Sequence, residues 1–205
     1  MPHYKIFFIA CFSLISFFNQ AVTLTDNEII NQNYKTFASG FENLDISIIE
    51  TMYTDDAVYL SETPNQGIIT GKPQIVELYQ HFFEKIAKRE ARIEVDFRVI
   101  NRKLTNDSAT DVGFYLVRFH PKKETGDQIS VFSGKFVFVS QKDTNNQWQF
   151  IVDSNTKMNP ELYYSAKPIS NLYYGRQFNT EAKSISVENE AEVGSVPVEA
   201  EHRIP

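Results

Sequence analysis

Residues 52–83, MYTDDAVYLSETPNQGIITGKPQIVELYQHFF, decide the fold of this chain. AVYL (57–60) and GIIT (67–70) are short apolar runs on either side of Glu62, Thr63, Pro64, Asn65 and Gln66. Turn formers between two such runs predict a small β-hairpin. Pro73 follows Gly71 closely, and proline suits the first turn of a helix because its missing amide has no partner there anyway. Ile75, Val76, Tyr79, Phe82, Phe83 and Ile86 then recur at helical spacing and define one buried stripe.

Upstream, Thr25 and Glu28 have the spacing of a capping box, in which a hydroxyl and a carboxylate satisfy the first free amides of a helix. Ile30, Tyr34, Phe37 and Phe41 continue it as an apolar face, with Gly40 as the expected stop. A short second helix is expected from about Asp45 to Tyr53, burying Ile48, Ile49 and Met52. Past residue 90 the period changes to two. Ile93, Val95, Phe97 and Val99 alternate with Glu94, Asp96 and Arg98, which predicts a strand with one dry face and one wet face. DVGFYLVRFH (111–120), ISVFSGKFVFVS (129–140) and QWQFIVDSN (147–155) continue as strands, and Gly113 and Gly134 mark bends within them. Helices followed by a run of antiparallel strands make an α+β domain with helices on one face of the sheet.

The chain has 205 residues, enough for one domain with a sizeable core. Its net charge of −6, without a basic cluster, disfavours a phosphate backbone as partner, so no nucleic acid is expected. Lys5 and the apolar run IFFIACFSLISFF (6–18) read as a leader cut after Ala21, and hence as export to a periplasmic or extracellular space without stable membrane insertion afterwards. A retained anchor and a lipid-modified Cys11 are the competing readings. Cys11 is the single cysteine, so a mature chain has no disulfide, no thiolate nucleophile and no cysteine-ligated zinc. The four histidines lack the short spacing of a metal site, and no metal or cofactor is expected. The folded domain is assigned to residues 22–159. A Tyr-rich extension follows at 160–180, with LYY at 162–164 and again at 172–174, which either straps across the domain or docks on a partner; an acidic tail at 181–205 then reads as disordered.

MYTDDAVYL, the Gly71 to Ile75 helix entry and WQFIVDSN (148–155), in this order, resemble the nuclear-transport-factor-2-like superfamily, particularly its SnoaL-like branch. The resemblance covers residues 26 to 156. It implies a cystatin-like cone: three N-terminal helices packed in a strongly curved antiparallel sheet around an apolar pocket. It also implies a homodimer through the sheet. The superfamily contains isomerases, cyclases, hydrolases, dehydratases and members without known catalysis, so fold alone leaves the reaction open. Ketosteroid isomerases place a tyrosine donor where this chain has Phe37, and a general base where it has Ser61, with Glu62 adjacent. Phenylalanine donates no hydrogen bond and serine is too weak a base, which disfavours that chemistry.

Asp153 and Asn155 share a strand face and are the candidate base and water-orienting group; solvation at a strand end is the plainer reading. Tyr34, Phe37, Tyr53, Tyr59 and Tyr79 are candidates for an aromatic pocket, with core packing as the alternative. Asp56 stands at the pocket rim or bonds backbone amides locally. Arg118 and His120 share a face with Phe114 and Leu116, and either bind an anionic ligand or cap an exposed strand end. Trp148 is a packing anchor. The leading expectation is an exported cone that binds a small apolar or aromatic molecule without turning it over. The alternatives are a SnoaL-like enzyme with Asp153 as general base, and a dimeric module that offers the Tyr-rich segment to a protein.

Overall fold

Thr25 closes the first helix as its spacing predicts. Its hydroxyl accepts from Glu28 N while Glu28 Oε2 accepts from Thr25 N at 2.7 Å. The computed structural model describes residues 24–61, 63 and 67–175, so the leader at 1–21 and the acidic tail at 181–205 lie outside the described residues. Helix α1 spans Asp26–Asn43, α2 Ile46–Met52 and α3 Lys72–Lys88. The strands are β1 Tyr53–Leu60, β2 Ile69–Thr70, β3 Arg92–Leu104, β4 Ser108–His120, β5 Ser130–Lys142 and β6 Trp148–Met158. A fourth helix, α4, follows at Pro160–Ser165.

One six-stranded sheet runs in the order β2-β1-β6-β5-β4-β3. β3 to β6 form an antiparallel meander, whereas β1 lies parallel to β6, which corrects the expectation of a wholly antiparallel sheet. Hairpin connections force consecutive strands to reverse. β1 and β6 are far apart in sequence, so no tight turn dictates their direction. Gly40 does not end α1; it is buried inside the helix, and a Cβ there would come within 3.0 Å of Ile49 Cδ1. The glycine lets α2 pack against α1. The stop comes at Leu44, in the left-handed conformation with φ 53°, whose amide returns to the Gly40 and Phe41 carbonyls.

The core lies between the helices and the inner face of the sheet. Ile30, Tyr34, Phe37 and Phe41 from α1 meet Ile75, Tyr79, Phe83 and Ile86 from α3, and Ile93, Val95, Phe97, Phe136, Phe138 and Phe150 from the strands. Each fully buried side chain of this size contributes about 1.5–3 kcal/mol over an exposed one. Gly134 makes room on this face, because a Cβ would sit 2.3 Å from the Tyr115 ring. A dry ionic clamp ties α1 to the sheet: Arg102 Nε and Nη2 donate to Asp111 at 2.6 and 2.7 Å, Tyr34 Oη donates to Asp111 Oδ2 at 2.7 Å, and Arg102 reaches Asn27 and Asn31.

The outer face of β3 departs from the simple alternation. Asp96 and Arg98, expected on a wet face, are 0% and 3% exposed. Residues 160–175 cover them as a strap. Tyr163 from α4 buries against Leu116, with Phe114, Val131 and Met158 around it. The Arg98 guanidinium lies 4.0 Å from the centre of the Tyr163 ring and 4.5 Å from that of Tyr174, and donates to the Tyr163 carbonyl. Val99 N donates to Tyr173 O at 2.9 Å and Gly175 N to Phe97 O at 3.0 Å, so the strap adds a short antiparallel pairing beyond β3. Tyr173 stacks on Tyr34 and donates to Asp96 Oδ1 at 3.0 Å. The described part of the Tyr-rich extension is therefore built into the domain, not appended to it. Among the described residues no helix is long and apolar enough to cross a membrane.

Candidate functional site

The concave side of the sheet and helices α1 and α3 leave a cavity of about 270 Å³. Its walls are aromatic: Phe37 and Phe41 from α1, Tyr79 and Phe82 from α3, Tyr59 from β1, and Phe97, Tyr115, Phe136 and Phe138 from β3 to β5. Aliphatic Ile93, Val95 and Val117 complete the sheet side, and Ser61 and Thr63 stand with Phe132 among the lining residues. A larger groove of about 460 Å³ runs between α1 and the strap, but its lining includes the exposed Lys35 and Glu42, and it lacks a buried reactive group.

Asp153 and Asn155 point into the cavity from β6. Asp153 is 2% exposed and is held from three sides. Its Oδ2 accepts from Tyr53 Oη at 2.7 Å and Tyr79 Oη at 3.4 Å, and its Oδ1 from Asn155 Nδ2 at 3.4 Å. Tyr53 and Tyr79 are themselves 3.2 Å apart, oxygen to oxygen. Burial pushes the Asp153 carboxyl up to about 6, against the lowering effect of the hydrogen bonds from Tyr53, Asn155 and Tyr79. Burial, then the charge of Asp153, push both tyrosines well above the ordinary phenol value, so they stay protonated donors. A carboxyl that titrates near neutrality inside an apolar cavity can accept or donate a proton, or anchor a polar group of a ligand.

Six of the ten sequence-nominated residues meet here: Phe37, Tyr59, Tyr79, Asp153 and Asn155 line the cavity, and Tyr53 stands behind Asp153 as its shortest donor. Tyr34 is buried beside the site but spends its hydroxyl on Asp111. Asp56 is exposed within β1, with Oδ1 accepting from Thr54 Oγ1 at 2.9 Å, and it does not line the cavity. Arg118 and His120 are on the opposite, outer face of β4. There His120 Nε2 lies 2.8 Å and Arg118 Nη1 3.7 Å from Glu94 Oε2. Burial opposes ionisation of Glu94, but the hydrogen bond with His120 and the electrostatic pull of His120, Arg118 and Arg92 outweigh it and hold its carboxyl below the ordinary value. Trp148 packs as expected and donates from Nε1 to Asp26 at 3.1 Å.

Tyr115, Val117, Phe136 and Phe138 went unselected in the sequence reading. The parity of β3, where Val95 and Phe97 face inward, carries across the register Val95↔Val117 and Phe97↔Tyr115 and would have pointed to them. In β4 both parities are apolar, because the strap buries Leu116 and Phe114 on the other side. Alternation there had no contrast to read. Phe37 and Ser61, where an isomerase has its donor and base, do line the cavity. They supply neither function. Among the described residues no three of His, Cys, Asp and Glu gather as a metal-binding group.

No family model and no curated protein matches the chain. Solved structures do. A conserved protein from Planctomyces limnophilus aligns over 65% of this chain and 96% of its own, with 17% identity and a TM-score of 0.55. A ketosteroid isomerase-like protein from Erwinia carotovora atroseptica aligns over 67% and 100%, with 18% identity and a TM-score of 0.52. An NTF2-like protein with a cystatin-like fold from Novosphingobium aromaticivorans aligns over 65% and 82%, with 11% identity and a TM-score of 0.54. At such identities the likeness is one of fold. The chain has the α+β, NTF2-like, cystatin-like architecture: helices against a six-stranded curved sheet.

Proposed function

We propose that this protein binds a small, mostly apolar or aromatic molecule inside the cone, anchored by a polar contact to Asp153. The observation that carries the reading is the cavity itself: about 270 Å³, walled by aromatic rings, with the Asp153 carboxyl among its described lining residues. Sites for small molecules have this composition, apolar surface for affinity and few polar groups for orientation. Flat one- or two-ring molecules match the walls. Native mass spectrometry of the gently purified protein tests it: a stoichiometric small-molecule adduct, lost when Tyr115→Trp fills the cavity, is the expected outcome. An adduct that survives the filling mutation would place the ligand elsewhere.

A second reading has one observation of its own. Asp153, with a value of about 6, is poised as a general base near neutral pH, and Tyr53, Tyr79 and Asn155 are placed to hold substrate or water. This is the SnoaL-like enzyme reading. It requires turnover of the captured ligand that disappears in Asp153→Asn while binding persists.

Export and a homodimer through the sheet complete the proposal. The apolar run at 6–18 supports the first, and sequencing the amino terminus of the secreted or periplasmic protein tests it. Val112 and Val137 support the second. They are opposed on neighbouring strands and exposed on the outer face of the sheet.

A further inference from the structure

Among the described residues, the cavity lining contains one carboxylic acid and no lysine, arginine or histidine. The remaining lining groups are hydroxyls, one amide, aliphatic side chains and aromatic rings. Arg118 and His120, the pair the sequence offers for an anionic ligand, are on the far side of the sheet, turned to Glu94. An anionic ligand would enter an apolar site with no countercharge and an acid at its base. Burying an unpaired charge in that way is strongly unfavourable. A cation meets the opposite situation. Ring faces attract it through their quadrupoles, and a carboxylate supplies a countercharge and a charge-assisted hydrogen bond.

Asp153 is set up for such a partner. Tyr53 and Tyr79 both donate to Oδ2, whereas among the described residues Oδ1 takes only the 3.4 Å bond from Asn155. An ionised carboxylate accepts about four hydrogen bonds, so Oδ1 has capacity left for a donor in the cavity. The groups facing Asp153 are Tyr53 and Tyr59 from β1, Tyr79 from α3, Phe138 from β5 and Asn155 from its own strand. Tyr53 and Tyr79 are protonated at neutral pH, and none of these groups is a base that would compete for the carboxylate.

We infer that the ligand of this cavity is an aromatic or otherwise lipophilic amine, bound as its ammonium ion with its charge paired to Asp153. The inference rests on the binding reading above and narrows it to one charge class. Because free Asp153 is protonated below about 6, an amine that stays cationic throughout gains affinity as pH rises past that value.

The test uses three probes of one shape: 2-naphthylmethylamine, 2-naphthylmethanol and 2-naphthoate, titrated calorimetrically into the full chain. At pH 7.5 the amine binds at least roughly tenfold tighter than the alcohol, and the carboxylate at least roughly tenfold weaker. Between pH 5 and 7.5 the amine gains roughly tenfold while the alcohol changes little, as expected if the ionised fraction of Asp153 limits amine binding. Asp153→Asn abolishes the preference for the amine over the alcohol. The wild-type pH series needs no variant and stands if that substitution folds poorly. Binding of the alcohol with no amine preference, or equal binding of the carboxylate, overturns the charge assignment and leaves the binding reading intact. Failure of all three probes to bind overturns both.

Discussion

Asp153 is the residue where stability and function pull in opposite directions. Its folded value of about 6 lies above the ordinary 3.8. The folded protein therefore keeps this proton over a range where the unfolded chain has lost it. Folding becomes less favourable as pH rises from about 4 to about 6, and the loss then stays constant at about 3 kcal/mol. Asp153→Asn removes that loss while keeping an oxygen for Tyr53 and Tyr79. We predict that the variant is more stable by about 1–3 kcal/mol at pH 7 and no more stable at pH 4, measured by urea unfolding at both values. An equal gain at both pH values would mean that the carboxyl is not desolvated as described.

At the scale of elements, the strap changes what β3 and β4 are. A strand with Asp96 and Arg98 on one side has the pattern of a half-wet edge, yet α4 and residues 173–175 close over that side. Tyr163 is the anchor, fully buried against Leu116 and stacked over Arg98. Removing its ring leaves a cavity and uncovers the guanidinium, so Tyr163→Ala is expected to lower stability by about 3–5 kcal/mol in chemical denaturation. A loss below about 1 kcal/mol would make the strap a passive extension. Tyr173 carries this contact further in, since it stacks on Tyr34, whose ring lies against Phe97, Phe136 and Phe138 of the cavity wall.

The whole molecule uses the two faces of its sheet differently. The inner face holds the cavity, and the outer face is shared between the strap and an uncovered strip that includes Val112 and Val137. A dimer through the outer face of β4 and β5 would use that strip, because α4 occupies neighbouring surface on the same strands. Val137→Glu places a charge there without touching the core. In sedimentation velocity we expect the wild type to behave as a dimer and the variant as a monomer, with unchanged ligand capture. A wild-type monomer, or a variant that still pairs, would remove the sheet interface from the proposal.

Much of the cone was legible in the sequence because its signals are local. The capping box at Thr25, Pro73 in the first turn of α3, and the change of period after residue 90 each act within a few residues. Asp153 and Asn155 were legible as a pair for the same reason: alternate residues of a strand share a face. The sequence by itself therefore determined the order of the three helices and of the strands up to β6, the α+β class, and that Asp153 and Asn155 share a strand face. Which face of β4 lines the cavity, and hence that Tyr115 is in the site and Arg118 and His120 are not, only the tertiary structure decided. So did the burial of Asp96 and Arg98 and the parallel pairing of β1 with β6. These depend on segments distant in the chain meeting in space, where the strap supplies an apolar cover that erases the contrast between wet and dry faces.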